Sequence, residues 1–120
     1  MIEVTVERER RTYADGKRLI PRTIVIEGHA GYAEPGYDLV CAGVSAITLG
    51  MANAVVSLTG IDVVSGMGES GYLHFALPKH LEPSVEEKVV LLLDAMLVAL
   101  QAMAEDHRAY LRINDHTHLS

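Results

Sequence analysis

The sequence predicts an α+β fold: one small domain in the order ββαββαβ, with two apolar helices packed on a β-sheet. Three observations carry it: polar–apolar alternation over Ile2–Glu7, a charge-free run over Leu39–Ile61, and a second apolar run over Val89–Ala104. At 120 residues the chain has room for a single domain spanning 1–120. A domain of that size buries roughly two-thirds of its unfolded surface, enough for a core without staples.

Each element follows in turn. Ile2-Glu3-Val4-Thr5-Val6-Glu7 has the period of a half-buried strand, and the β-branched Thr23-Ile24-Val25-Ile26-Glu27 predicts its hairpin partner. Between them Ala14-Asp15-Gly16-Lys17 carries the Asp-Gly pair of a hairpin turn. Asp38 precedes the long apolar run and predicts the N-cap of a helix from Leu39 to Thr59, ended by Gly60. Ile61–Val64 and Tyr72–Leu77 read as two more strands around a glycine-rich turn over Gly66–Gly71. Ser84-Val85-Glu86-Glu87 has the spacing of a capping box that starts a second helix reaching His107. Tyr110-Leu111-Arg112-Ile113 is a short closing strand.

Both helices are nearly all apolar, more than five short strands can cover, which points to burial against a second copy of the chain. The 23 residues of Leu39–Ile61 would reach about 34 Å as a helix, long enough to cross a bilayer. Ser45, Thr48, Asn53, Ser57 and Thr59, with Gly43, Gly50 and Gly60, suit close packing in a buried helix better, so no membrane span is expected. Met1–Arg11 is too charged for a signal peptide.

The formal net charge is −6, which argues against a general nucleic-acid binder. Six of the ten basic residues (Arg8, Arg10, Arg11, Lys17, Arg18, Arg22) crowd into one segment, read as a solvated hairpin tip. The single cysteine excludes an internal disulfide and any all-cysteine zinc site, and suits a reducing cytoplasm.

The chemistry concentrates in Gly28-His29-Ala30-Gly31-Tyr32-Ala33-Glu34-Pro35-Gly36-Tyr37-Asp38-Leu39-Val40-Cys41. With Asp38 as N-cap, Cys41 falls at the third helical position, where free amides and the helix dipole favour a thiolate. His29 at the strand exit can be folded back to take the thiol proton and return it to a leaving amine. Ser45, one turn on, shares the face of Cys41. Gly28, Gly31, Pro35 and Gly36 are expected to belong to a flexible substrate loop, mobile from Gly31 to Tyr37 until it closes over a bound ligand. Taken alone, each residue also has a plainer reading: a core cysteine, a structural histidine, a capping aspartate.

Gly28-His29-Ala30, a short glycine-containing loop, and Gly36-Tyr37-Asp38-Leu39-Val40-Cys41-Ala42-Gly43-Val44-Ser45-Ala46 resemble the signature of the ribosomal-processing cysteine protease family (Prp, or YsxB-like). Ser70-Gly71-Tyr72-Leu73, the Leu-rich second helix and the closing Tyr110–Ile113 extend the resemblance over nearly the whole chain. It implies a cytoplasmic, homodimeric cysteine endopeptidase without a cofactor. Its implied substrate is the N-terminal extension of large-subunit ribosomal protein number twenty-seven. By the same resemblance Cys41 is the nucleophile, His29 the general base, and Asp38 and Ser45 are supporting polar positions. Two features depart from the family pattern: the hairpin Arg8–Arg22 is longer and more basic, and Gly43 stands where alanine is usual.

Other readings carry less. His116 and His118 have His-x-His spacing but no third ligand nearby, and fit a frayed tail. A zinc site of His29, Asp38 and Cys41 is chemically possible, yet the resemblance supplies no metal. Met51, Met96 and Met103 are core filler, and Gly66-Met67-Gly68 lacks the rest of a dinucleotide motif. The competing class is a non-catalytic ribosome-associated binding module with an idle thiol.

Overall fold

The computed structural model describes residues 1–28, 35–68 and 72–118, with 35–38, 117 and 118 described as backbone only. The alternation at the N-terminus becomes β1 (Ile2–Tyr13), paired antiparallel with β2 (Gly16–Gly28). Helix α1 (Pro35–Thr59) leads to a short hairpin, β3 (Val64–Met67) and β4 (Leu73–Ala76). Helix α2 (Pro83–Asp106) then returns the chain to β5 (Leu111–His118), which pairs parallel with β1. The sheet order is β3-β4-β2-β1-β5, so the α+β class and the ββαββαβ order stand.

One face of the sheet buries Val4, Val6, Ile20, Ile24 and Phe75, each at most 1% exposed, against Val40 and Val55 of α1 and Val89, Leu93, Met96 and Leu100 of α2. A fully buried aliphatic or aromatic side chain contributes about 1.5–3 kcal/mol, so this layer dominates stability. Gly60 ends α1 as expected: it takes φ +75°, and its amide donates to the Val56 carbonyl at 2.8 Å.

Several expected boundaries are corrected. The first hairpin continues well past Glu7, and its turn is only Ala14-Asp15, with Gly16 at φ +136° opening β2. A register shift between Glu7 and Arg8 changes the buried phase from Val4 and Val6 to Tyr13, which ordinary alternation cannot do. The basic cluster is not simply a solvated tip. Arg8 pairs with Asp94 and Asp115, Arg11 with Glu86, Arg18 with Asp15 and Glu87, and Arg22 with Glu9. Arg11 and Arg18 fasten the long hairpin to the start of α2, and Arg8 fastens it further along the helix.

That fastening also replaces the expected capping box. Glu82 is the N-cap and makes no side-chain cap bond, while Pro83 opens the helix. The Ser84 hydroxyl donates to Glu82 Oε1 at 2.7 Å, and Glu87 accepts from Arg18 instead of bonding back to Ser84. The third strand begins at Val64 rather than Ile61, because Asp62 Oδ1 accepts from the Val64 amide and closes a turn. The C-terminal histidine pair is not a frayed tail, since β5 runs through His116 and His118.

Helix α1 starts at Pro35, four residues before the expected start. Asp38 is therefore inside the first turns and is not the N-cap. Leu39–Thr59 has a mean hydropathy of 1.9, and only 28% of it is buried. Leu91 and Val98 of α2 are also 69% and 68% exposed, so these helices are covered on one side and not all round.

Candidate active site

Cys41 is the seventh residue of α1, partly buried and unpaired with any other cysteine. The expectation placed it third. The difference matters, because the free amides and the dipole field of a helix fade beyond its first turn. A thiol in the second turn needs a proton acceptor more than it needs the helix end.

The thiol faces a cavity of about 200 Å³ at one end of the sheet. From α1 come Cys41, Ser45 and Thr48, positions separated by four and three residues and hence on one helical face. Thr48 is 2% exposed, and its hydroxyl donates to the Val44 carbonyl at 2.8 Å, so it is satisfied within the helix. Ser45 is exposed at the rim and lines the same cavity. Ile2 at the start of β1, Gly28 at the end of β2 and Leu73 at the start of β4 supply the sheet side. Met67 and Tyr72, flanking the β3–β4 turn, close the remaining wall.

The site residues expected from sequence are distributed unevenly over this geometry. Cys41, Ser45 and Gly28 meet at one cavity. Pro35 and Gly36 open α1 and so do not belong to a loop running from Gly31 to Tyr37. His29 and Gly31 lie outside the described residues, as does the side chain of Asp38. Among the described residues no group of three or more His, Cys, Asp or Glu side chains could hold a metal ion.

Sequence reasoning missed Met67 and Tyr72. The turn glycines Gly66 and Gly68 were the available signal, because glycine flanking a strand often marks a close approach by another group. Here that group is the Tyr72 ring.

Comparisons with known proteins give the family. The cysteine protease Prp family profile matches residues 1–112. A Bacillus subtilis relative, the ribosomal processing cysteine protease Prp, is 39% identical over 114 residues, covering 94% of this chain and 96% of its own. The Staphylococcus aureus ribosomal processing protease Prp, solved with a substrate peptide, superposes with a TM-score of 0.74 at 27% identity, covering 97% of this chain and all of that one. The same protease solved with a covalently linked product peptide gives 0.73 at 28% identity, with the same coverage. By profile, by sequence and by fold together, the chain belongs to the Prp family of cysteine proteases.

Proposed function

We propose that the chain removes the N-terminal extension of large-subunit ribosomal protein number twenty-seven in the cytoplasm, using Cys41 as nucleophile and His29 as general base. The carrying observation is that a cysteine protease with one cysteine has one candidate nucleophile, and that residue faces a cavity wide enough for a side chain. His29 directly follows Gly28, which lines the same cavity. The Staphylococcus aureus relative's substrate and covalently linked product peptides support peptide attack by a sulfur nucleophile.

In the proposed reaction His29 takes the Cys41 proton, and the thiolate adds to the scissile carbonyl carbon. Collapse of the tetrahedral intermediate breaks the C–N bond, and His29 returns the proton to the departing amine. Water, deprotonated by His29, then cleaves the thioester and restores the thiol. Asp38 near the helix start and Ser45 at the rim are supporting polar groups that orient the histidine or the peptide. The test is mass spectrometry of the extended ribosomal protein from the same genome after incubation with enzyme. Expected is one cut that releases the extension; an uncut precursor, or full cleavage by Cys41→Ala, overturns the reading.

The same proposal includes a homodimer. On the outward side of α1, Leu39, Ala42, Ala46, Leu49, Asn53 and Val56 follow alternating steps of three and four, the spacing of a helix–helix seam. An antiparallel copy pairs Leu39 with the partner's Val56, Ala42 with the partner's Asn53, and Ala46 with the partner's Leu49, so both alanines meet larger residues. This face has no charge, which matters for two chains of net charge −6. Sedimentation should show a dimer, and Ala46→Arg a folded monomer. A monomeric parent protein would overturn this part.

A further inference from the structure

Tyr72 is held by two sets of neighbours. Its ring lies close to the backbone at Gly66 and Gly68. A Cβ added at Gly66 would come 3.5 Å from Tyr72 Cε1, and one at Gly68 would come 3.3 Å from Tyr72 Cβ and Cδ1. The Gly68 amide also donates to the Tyr72 carbonyl at 3.1 Å, which holds the turn and the ring in one unit. His74 also meets the ring edge to face, with centroids 6.4 Å apart and planes at 63°. A tyrosine packed this way is a rigid wall. Met67 beside it is 67% exposed and adaptable, as a thioether side chain is.

The wall borders the cavity that holds Cys41, and among the described residues none that lines it is charged. Its volume of about 200 Å³ compares with the roughly 150 Å³ of an apolar cavity that takes up benzene. A branched aliphatic or single-ring side chain fits; a charged one would lose hydration without a partner.

We infer that Tyr72 is a specificity-determining residue: resting on the shelf made by Gly66 and Gly68, it limits the size of the apolar substrate side chain that enters the Cys41 cavity. This rests on the protease reading and adds to it the chemical class of one recognised side chain. The glycines have a defined part in it. A methyl at position 68 must push the ring by a few tenths of an ångström, and the cavity is a side toward which it can yield. The glycine shelf thereby sets the width of the cavity from outside it. A single methylene in an apolar pocket changes discrimination about 10- to 200-fold, so small displacements of the ring are measurable.

The experiment is kcat/KM on peptides spanning the cut junction, with each residue flanking the bond changed in turn to Ala, Leu, Phe or Trp. Tyr72→Ala should raise the Trp-to-Leu ratio at one position at least tenfold, mainly through KM. Tyr72→Phe should keep the parent order of preference, because the ring and not the hydroxyl forms the wall. Gly68→Ala should lower the ratio of Phe to Leu. The pH midpoint of Cys41 labelling by iodoacetamide, which reports the thiol and not its access, should be the same in all three variants and so separates an altered pocket from an altered nucleophile. An unchanged order of preference in Tyr72→Ala overturns the inference; if that variant does not fold, an unchanged order in Gly68→Ala does so. Cleavage lost in Cys41→Ala alongside unmoved preferences would leave the protease reading standing and remove Tyr72 from it, whereas cleavage that survives Cys41→Ala would overturn both.

Discussion

The Tyr13 hydroxyl donates a 2.7 Å hydrogen bond to Glu86 Oε1, the same oxygen that accepts from Arg11 Nε at 2.7 Å. Tyr13 is at the tip of the long hairpin and Glu86 in the first turn of α2, so one buried carboxylate joins two elements far apart in sequence. The guanidinium carbons of Arg18 and Arg11 lie 4.5 and 5.3 Å from the centre of the Tyr13 ring. The Arg11 and Arg18 cations therefore hold the ring while the carboxylate holds its hydroxyl.

Removing that hydroxyl tests the joint. Tyr13→Phe leaves Glu86 buried with Arg11 as its remaining side-chain donor, and should lower stability by about 1–3 kcal/mol in urea denaturation. A loss under a few tenths of a kcal/mol would mean that the hairpin is held by its strand pairing alone.

The same joint predicts two pH limits. Burial, then the bond to Glu86 and its charge, push the Tyr13 phenol up from 10.0 to about 12. A raised pKa means the folded state favours the protonated phenol, so its stabilisation is complete below pH 10.0 and is lost as pH rises toward about 12. Burial alone would raise Glu86, but hydrogen bonds from Tyr13 and Arg11, and the Arg11 charge, outweigh it and hold the carboxyl below its ordinary 4.5. Its stabilisation is present above pH 4.5 and is lost as pH falls through the depressed folded value. Urea midpoints measured against pH should show the alkaline loss in the parent protein and a weaker one in Tyr13→Phe. Parallel alkaline curves would contradict the assignment to Tyr13.

Gly43 separates packing from propensity. An alanine Cβ there would come 2.8 Å from Met103 Cε, the free end of a flexible side chain on α2. Glycine to alanine inside a helix gains up to about 1 kcal/mol, and moving a thioether end costs a similar amount. Gly43→Ala should therefore change stability by less than about 1 kcal/mol. Gly43→Val brings further atoms into the α1–α2 contact and should cost about 1–3 kcal/mol. Equal melting temperatures for the two variants would show that the helices separate freely there.

If Cys41 and His29 act as a unit, their substitutions are not additive. Cys41→Ala, His29→Ala and the double variant should fall to nearly the same residual turnover. A double variant slower than each single one by the product of their separate effects would assign His29 a role apart from the thiol.

Asp38 gives a sharper test now that α1 is known to start at Pro35. A carboxylate near a helix N-terminus contributes about 0.3–1 kcal/mol through the dipole, less than a lost cap would cost. Asp38→Asn and Asp38→Ala should both fold with stability lowered by no more than about 1 kcal/mol. If Asp38 orients a protonated His29, both lose turnover, and the thiol pKa rises in thiol titrations. A loss near 2 kcal/mol in Asp38→Ala alone would restore the capping role.

The element order was legible because Ile2–Glu7 alternates with the period of a strand and the two apolar runs are too long to be strands. The helix starts were not, although each had a signal: Pro35 and Pro83 stand at the first helical positions, where proline is preorganised, yet Asp38 and Ser84 drew the cap assignment. The length of the first hairpin was hidden for another reason. Arg8, Arg11 and Arg18 read as solvated charges until Asp94, Glu86 and Glu87 are brought beside them by α2. The helical half of the cavity, Cys41 and Ser45, could be read from a spacing of four. The turn glycines marked a close approach near Tyr72 and Met67, but the nearness of these two to Cys41 depends on β4 lying next to β2, which no local period records.

Ile2 lines the Cys41 cavity and is also the first residue of β1 to pair with β5, opposite Leu111, while its amide donates to the Tyr110 carbonyl at 2.8 Å. Nearly the whole sequence separates these partners. A parallel pairing of such high contact order forms late, because the entropy of closing the intervening loop must be met before the contact is made. While the chain is being synthesised, β1 therefore has only its hairpin partner until the segment 111–118 has left the ribosome. The cavity floor at Ile2 is completed only after that, so the working form of this protease waits on β5.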